Sequence, residues 1–317
     1  MEWTSNVAAG EWIRERLDPE GLTFRSFVPR GFPAYARVFH PAHRERPVGL
    51  TWPAADDRDG WDRFLAERPE VDTERVTWRQ VADAFGTTMH ELAQWHRLVH
   101  RSGPETGEPR DADGWRYAEP DEGRLEPEAL AAVARHLAAH TATPGDGFAA
   151  LWEGWGGVVG GMSSGAPSTS LLAREAGDPH HQAMLGASMR DAFNNVLRRP
   201  KWRSGILSDE ISRGPRLELP QRGHVLFHAA PREWTDPSWP ERVPWSDGEW
   251  TQSPSLIWPE GREWVLVSEI DFDSTIVCGS AELIRAICTD PEIEAHAIRA
   301  DADLTWDADD LNRPTGA

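Results

Sequence analysis

The sequence predicts an α+β fold: a mixed or antiparallel sheet with strands from both ends of the chain, helices between them, and an inserted Gly/Ser-rich and helical segment. Three observations predict it. Period-two alternation of apolar residues appears near both ends of the chain. Apolar stripes at helical spacing, headed by capping residues, fill the interval. Gly, Ser, Ala and Pro dominate residues 154–170, a composition with too little apolar surface for a core of its own. The chain divides accordingly into N-terminal strands and helices (1–153), a variable connection or insertion with one helix (154–215), a strand-rich region (216–300) and an acidic tail (301–317).

In chain order, a short helix is expected at 10–17, then strands at 23–28 and 34–39 separated by the punctuation of Pro29 to Pro33. Helices follow at 60–67, 78–85 and 90–100. Thr77 with Gln80 and Thr88 with Glu91 match the reciprocal capping pattern, in which each side chain takes up a backbone N–H left over at a helix start. A charged Pro/Gly-rich loop at 101–123 leads to the strongest helical pattern. There Leu130, Val133, Ala134 and Leu137 make one apolar stripe, and Pro127 stands in the first turn, where a missing N–H costs nothing. Helical spacing returns at 180–199. Further strands are expected at 216–219, 225–229, 255–258, 264–271 and 275–278, then a helix at 281–289 capped by Ser280 and a last strand at 294–299.

Seventeen tryptophans stand against two tyrosines. Most are expected in the core, and the rest as aromatic walls around a ligand or partner. The 33 Lys and Arg against 52 Asp and Glu give a net charge of −19, which opposes phosphate backbones and anionic lipid. The charge therefore disfavours nucleic acid and argues against a membrane, and the expected partner is a protein or a small ligand. No basic segment followed by an apolar run begins the chain, and no stretch is apolar for long enough to span a bilayer, so a cytoplasmic location is expected. Cys278 and Cys288 lack paired-cysteine spacing and support neither a disulfide framework nor zinc. The chain calls for no metal and no cofactor.

Several segments carry a resemblance: residues 31–41 (GFPAYARVFHP), 89–98 (MHELAQWHRL), 151–156 (LWEGWG), and 255–259 (SLIWP) with 269–271 (EID) and 275–280 (TIVCGS). There the chain resembles a family of uncharacterised proteins from high-GC bacterial genomes. The resemblance implies that these blocks belong to one fold and that residues 156–214 are a length-variable connection. It brings no activity and no catalytic residues.

Four motifs bear on chemistry. Gly161-Met162-Ser163-Ser164-Gly165 matches a nucleophile elbow, with Asp271 or Asp273 and His296 following in a permitted order. An elbow needs a strand before the serine and a helix directly after it, and Pro167 falls where that helix belongs. Asp271-Phe272-Asp273-Ser274-Thr275 resembles the opening motif of the haloacid dehalogenase family, but no lysine follows it. On a strand, Glu269, Asp271 and Asp273 would share one face. Ala82, Gly86, Leu92 and Trp95 have helix-turn-helix spacing, yet the second helix would offer no cation before Arg97. The tail from Asp301 to Asp309 alternates like a calcium loop but has Trp306 where that loop needs Gly, and His96 and His100 lack the glutamate of a zinc-protease helix.

The failure of each motif in its context points to an intracellular, non-enzymatic binding or interaction module. The alternative is a small-molecule enzyme of hydrolase type with a polar site near Arg37, His40, His96, Glu269 and Asp271, and a lesser alternative is a helix-turn-helix DNA binder. On either of the first two readings the candidate surface adds Trp152, Trp155 and Trp258 to those five.

Overall fold

The computed structural model describes residues 1–20, 23–100, 109–163, 201–248 and 251–314. The expected α+β architecture is present, and every strand pairing is antiparallel. In chain order the strands are β1 (Glu2–Trp3), β2 (Ala34–Phe39), β3 (Ala42–Pro47), β4 (Val71–Val76), β5 (Arg116–Ala118), β6 (Gly147–Trp152), β7 (Gly161–Ser163), β8 (Lys201–Arg203), β9 (Leu217–Glu218), β10 (Gly223–His228), β11 (Leu256–Pro259), β12 (Val265–Val267), β13 (Ser274–Gly279) and β14 (Ala295–Ile298). A nine-stranded sheet runs β1-β10-β6-β11-β12-β13-β2-β14, with β9 also on β10; a smaller sheet runs β4-β3-β5.

The chain separates into two compact units, one of residues 1–152 with 216–317 and the other of residues 153–215. The first holds both of these sheets. In the second, β7 pairs with β8, and the helix Asp209–Arg213 is capped by Ser208. Residues 161–163, expected as linker, are thus a short strand, because the backbone of Gly161 to Ser163 finds a partner in Lys201 to Arg203. The helix expected at 180–199 and the residues after Ser163 in the serine motif lie outside the described residues.

Alternation on the large sheet sorts the apolar residues. One face carries Phe148, Ala150, Leu226, Leu256, Trp258, Val265 and Val267, packed with Trp12, Ile13 and Leu17. Beyond the sheet, the indole N–H of Trp264 donates to the Leu137 carbonyl at 2.9 Å, tying the helix Pro127–Ala139 to the start of β12. The core reading of tryptophan holds for Trp78, Trp234, Trp239, Trp245, Trp258 and Trp264, all fully buried. At about 25 cal/mol per Å² of apolar area, such rings dominate the hydrophobic contribution.

Five local expectations are corrected. Residues 23–28 make a helical turn, Phe24–Phe27, because the Ser26 hydroxyl accepts the Thr23 N–H and diverts the backbone from a strand. The helix expected at 90–100 shrinks to Trp95–Leu98, since the Thr88 N–H goes to Asn312 and the Gln94 N–H to Asp309 rather than into a helix start. The helix-turn-helix reading falls with it. The strand expected at 264–271 stops at Val267, and residues 269–273 turn back, with the Phe272 N–H donating to the Glu269 carbonyl. Glu269, Asp271 and Asp273 therefore share a turn and not a strand face. By contrast, Trp78–Phe85 with its Thr77/Gln80 cap and Ala281–Thr289 with Ser280 are found as expected.

Candidate functional site at the Arg37 cleft

Arg37 lies in the middle of β2, opposite Ile276 of β13 and His296 of β14. Its side chain is 1% exposed. The guanidinium donates from Nε to Ser274 Oγ (2.9 Å), from Nη1 to the Ala93 and Glu91 carbonyls (2.8 and 3.3 Å) and from Nη2 to Asp273 Oδ1 (3.0 Å). It also lies over the Phe39 ring, 4.5 Å from the centroid. Burial lowers its pKa, and the Asp273 carboxylate works against that shift. A planar five-donor fork suits this arrangement, because one group can bind a turn, a strand end and a helix entry together.

Asp273 and Arg37 line a cleft of about 390 Å³. Its other walls come from three segments. The one-turn helix supplies His96, and residues 119–122 supply Glu119 and Glu122. The tail supplies Trp306, whose ring stacks on His96 with centroids 3.5 Å apart and planes 6° apart. The tail is held there by Asp309, whose buried carboxylate accepts the Gln94 N–H, His90 Nε2 and the Asn312 side chain. His96 is 5% exposed, and its Nε2 is buried without a hydrogen-bond partner among the described residues. Burial first, and Arg97 second, lower its pKa to about 4, so the ring is neutral near pH 7.

His40, where the chain leaves the large sheet for the smaller one, lies behind the cleft. Its Nδ1 meets the Asp121 carbonyl at 2.6 Å and its Nε2 meets Thr275 Oγ1 at 2.8 Å. A carbonyl only accepts, so Nδ1 carries the proton; Nε2 then accepts from Thr275, which accepts in turn from Ser268 at 2.6 Å. Burial lowers the pKa of His40 to about 4 and keeps this polarity fixed. Three more contacts hold the acidic segment. The Gly123 N–H donates to the Phe272 carbonyl (2.8 Å), Gln252 Nε2 to the Gly123 carbonyl (2.6 Å) and Arg124 Nη1 to Asp121 (2.7 Å). Glu122 sits on the rim with its carboxyl pKa raised, by desolvation first and then by Asp273, Asp271 and Glu119.

The remaining candidates divide. Glu269 and Asp271 share Arg222, which donates to each at 2.8 Å while lying over the Trp152 ring at 5.0 Å. Asp271 lines the cleft, whereas Glu269 and Trp152 are not among its lining residues. Trp258 is in the core, stacked on Phe148 at 5.6 Å, and forms no part of this cleft. Trp155 belongs to the unit of residues 153–215. His296 packs edge-on against Phe39, 5.9 Å between centroids. Sequence reasoning missed Glu119, Glu122 and Trp306. For the two glutamates the signal available was three carboxylates, Glu119, Asp121 and Glu122, set around Pro120 and ahead of Gly123, a rigid frame inside an otherwise charged loop. Among the described residues no three His, Cys, Asp or Glu side chains are arranged to hold a metal ion.

The chain is similar to chorismate synthases. Those of Xanthomonas oryzae pv. oryzae (strain PXO99A), Xanthomonas euvesicatoria pv. vesicatoria (strain 85-10) and Xanthomonas axonopodis pv. citri (strain 306) are each 27% identical over 217 residues, covering 62% of this chain and 50% of theirs. The chain spans about half the length of the curated relatives it matches. No family model and no solved structure matches. Similarity to enzymes overturns the non-enzymatic reading of the sequence, which had leaned on lookalike motifs and not on the residues that meet at Arg37. Among the described residues no helix is long and apolar enough to cross a membrane.

Proposed function

We propose that the chain is an enzyme acting on a small molecule in the Arg37 cleft by proton transfer, with Asp273 and Glu122 as the acid–base pair. The observation that carries this reading is the convergence on one cleft of an arginine-anchored carboxylate, a second carboxylate in a different environment, and a buried imidazole nitrogen without a partner. Two carboxyl groups held in different surroundings can serve as donor and acceptor in one reaction. Here Arg37 pairs with Asp273, whereas the charges acting on Glu122 are all negative. Hydrolysis is one reaction such a pair serves. The relatives' name, chorismate synthase, supports an enzyme on a small molecule and leaves the substrate of this chain to the cleft itself. On this reading the protein works in the cytoplasm, and the family from high-GC bacterial genomes shares the cleft.

The test is to incubate the purified protein with a bacterial small-molecule extract and follow every mass over time, chorismate among them. Consumption of a compound is expected, slowed by about 100-fold or more in Glu122→Gln and Asp273→Asn. Equal rates in the variants, or no compound consumed, would refute the assignment.

A further inference from the structure

We infer that the cleft takes a small organic cation, an ammonium group carried on an apolar or flat body, with the charge facing Glu122 and Asp273, an N–H given to His96 Nε2, and the body against Trp306. This deepens the enzyme reading, since it assigns a substrate class to the same cleft.

The charges on the walls decide the sign of the ligand. Four carboxylates, Glu119, Glu122, Asp271 and Asp273, line the cleft, and Arg37 is the one cation among its lining residues. Arg37 is committed to Asp273, Ser274 and two carbonyls, and Arg222 is committed to Glu269 and Asp271. At Glu122, on which only negative charges act, an anionic ligand would meet repulsion in a partly desolvated space, where Coulomb terms are strong. The chain's net charge of −19 adds long-range attraction for cations.

His96 supplies an independent pointer. It is 95% buried, it lines the cleft, and its Nε2 has no partner among the described residues. We place the ring proton on Nδ1, which makes Nε2 the acceptor; a buried acceptor left unsatisfied is costly, so a ligand N–H placed there recovers that loss. Trp306 completes the site. Its indole is 60% exposed yet held by the stack on His96, and a fixed electron-rich ring attracts both an apolar body and the cation it bears.

The probes are benzylammonium, benzyl alcohol and benzoate, one shape at three charges, titrated into the full chain by calorimetry. Benzylammonium is expected to bind at least about tenfold more tightly than either of the others, and Glu122→Gln and Trp306→Ala are each expected to weaken it by about tenfold. Glu122 is on the exposed rim, so its variant keeps the fold, checked by an unchanged thermal midpoint. Benzoate or benzyl alcohol binding as well as benzylammonium, no benzylammonium binding, or unchanged binding in Glu122→Gln would overturn the proposal. Its fate is separable from that of the enzyme reading. Turnover of a compound without an amine would sink the substrate class alone, and amine binding without turnover would sink the enzyme alone.

Discussion

At the scale of single residues, Arg37 shows how a charge survives in a core. Each of its nitrogens faces an acceptor, from a side chain or a carbonyl, and the ring of Phe39 covers one side. Replacing it with methionine keeps the bulk but leaves Asp273 and two carbonyls without their donor. Breaking a buried pair from one side costs about 3–5 kcal/mol. Arg37→Met should therefore lower the unfolding free energy obtained from urea titration by that amount, and Arg37→Lys should recover only part of it, because one ammonium cannot span acceptors spread over a turn, a strand and a helix entry. A methionine variant as stable as the wild type would show that the fork holds nothing together.

At the scale of elements, the cleft depends on how residues 119–123 dock on the turn 269–273. Gly123 has φ +66°, and a Cβ there would lie 2.5 Å from the Ile270 Cα. Gly123→Ala thus meets both backbone strain and a collision with backbone, which together cost about 1–3 kcal/mol or more. The expected outcome is a lower thermal midpoint together with loss of benzylammonium binding, since Glu122 moves with the segment; a variant that keeps both would break the link between glycine and site. These elements also show what the sequence disclosed. Helices with caps and full apolar stripes, such as Pro127–Ala139 and Ala281–Thr289, were legible because their signals are local. β2 and β13 were legible from alternation. β3 and β4, the latter reading VDTERV, were not, since their polar residues sit on a sheet half open to solvent. β6 was not because Gly147 to Trp152 is apolar throughout and sits between two neighbouring strands. At the site, Arg37, His40, His96 and Asp271 were named from sequence, and Glu122 and Trp306 were not. Their roles arise from long-range docking, to which no local period corresponds.

For the whole molecule, acid sensitivity follows from its buried imidazoles. His40 and His224 have pKa values lowered to about 4 from the ordinary 6.5, with burial the largest cause in each. Between these values the unfolded chain binds protons that the folded chain refuses, so stability is complete above about 6.5 and is lost as pH falls toward 4. Each site contributes on the order of 3 kcal/mol to that loss. Glu269 and Glu294, whose carboxyl pKa values burial raises, act in the opposite sense at the lower end and soften it. Urea midpoints at pH 7.0, 5.5 and 4.5, spaced across the roughly 4 to 6.5 window, should fall in that order, and a flat profile would show the imidazoles to be solvated.

The order of strands has one more consequence, for the newborn chain. Among the described residues β2 ladders only with β13 and β14, and 237 residues separate Arg37 from Ser274. At roughly 5–20 residues per second, a ribosome leaves β2 waiting roughly 10–50 s for its partners. Until then both edges of an apolar strand are bare, and its arginine is a solvated cation. That charge, later the anchor of the cleft, is meanwhile the feature that discourages the strand from pairing with its neighbours on a crowded polysome.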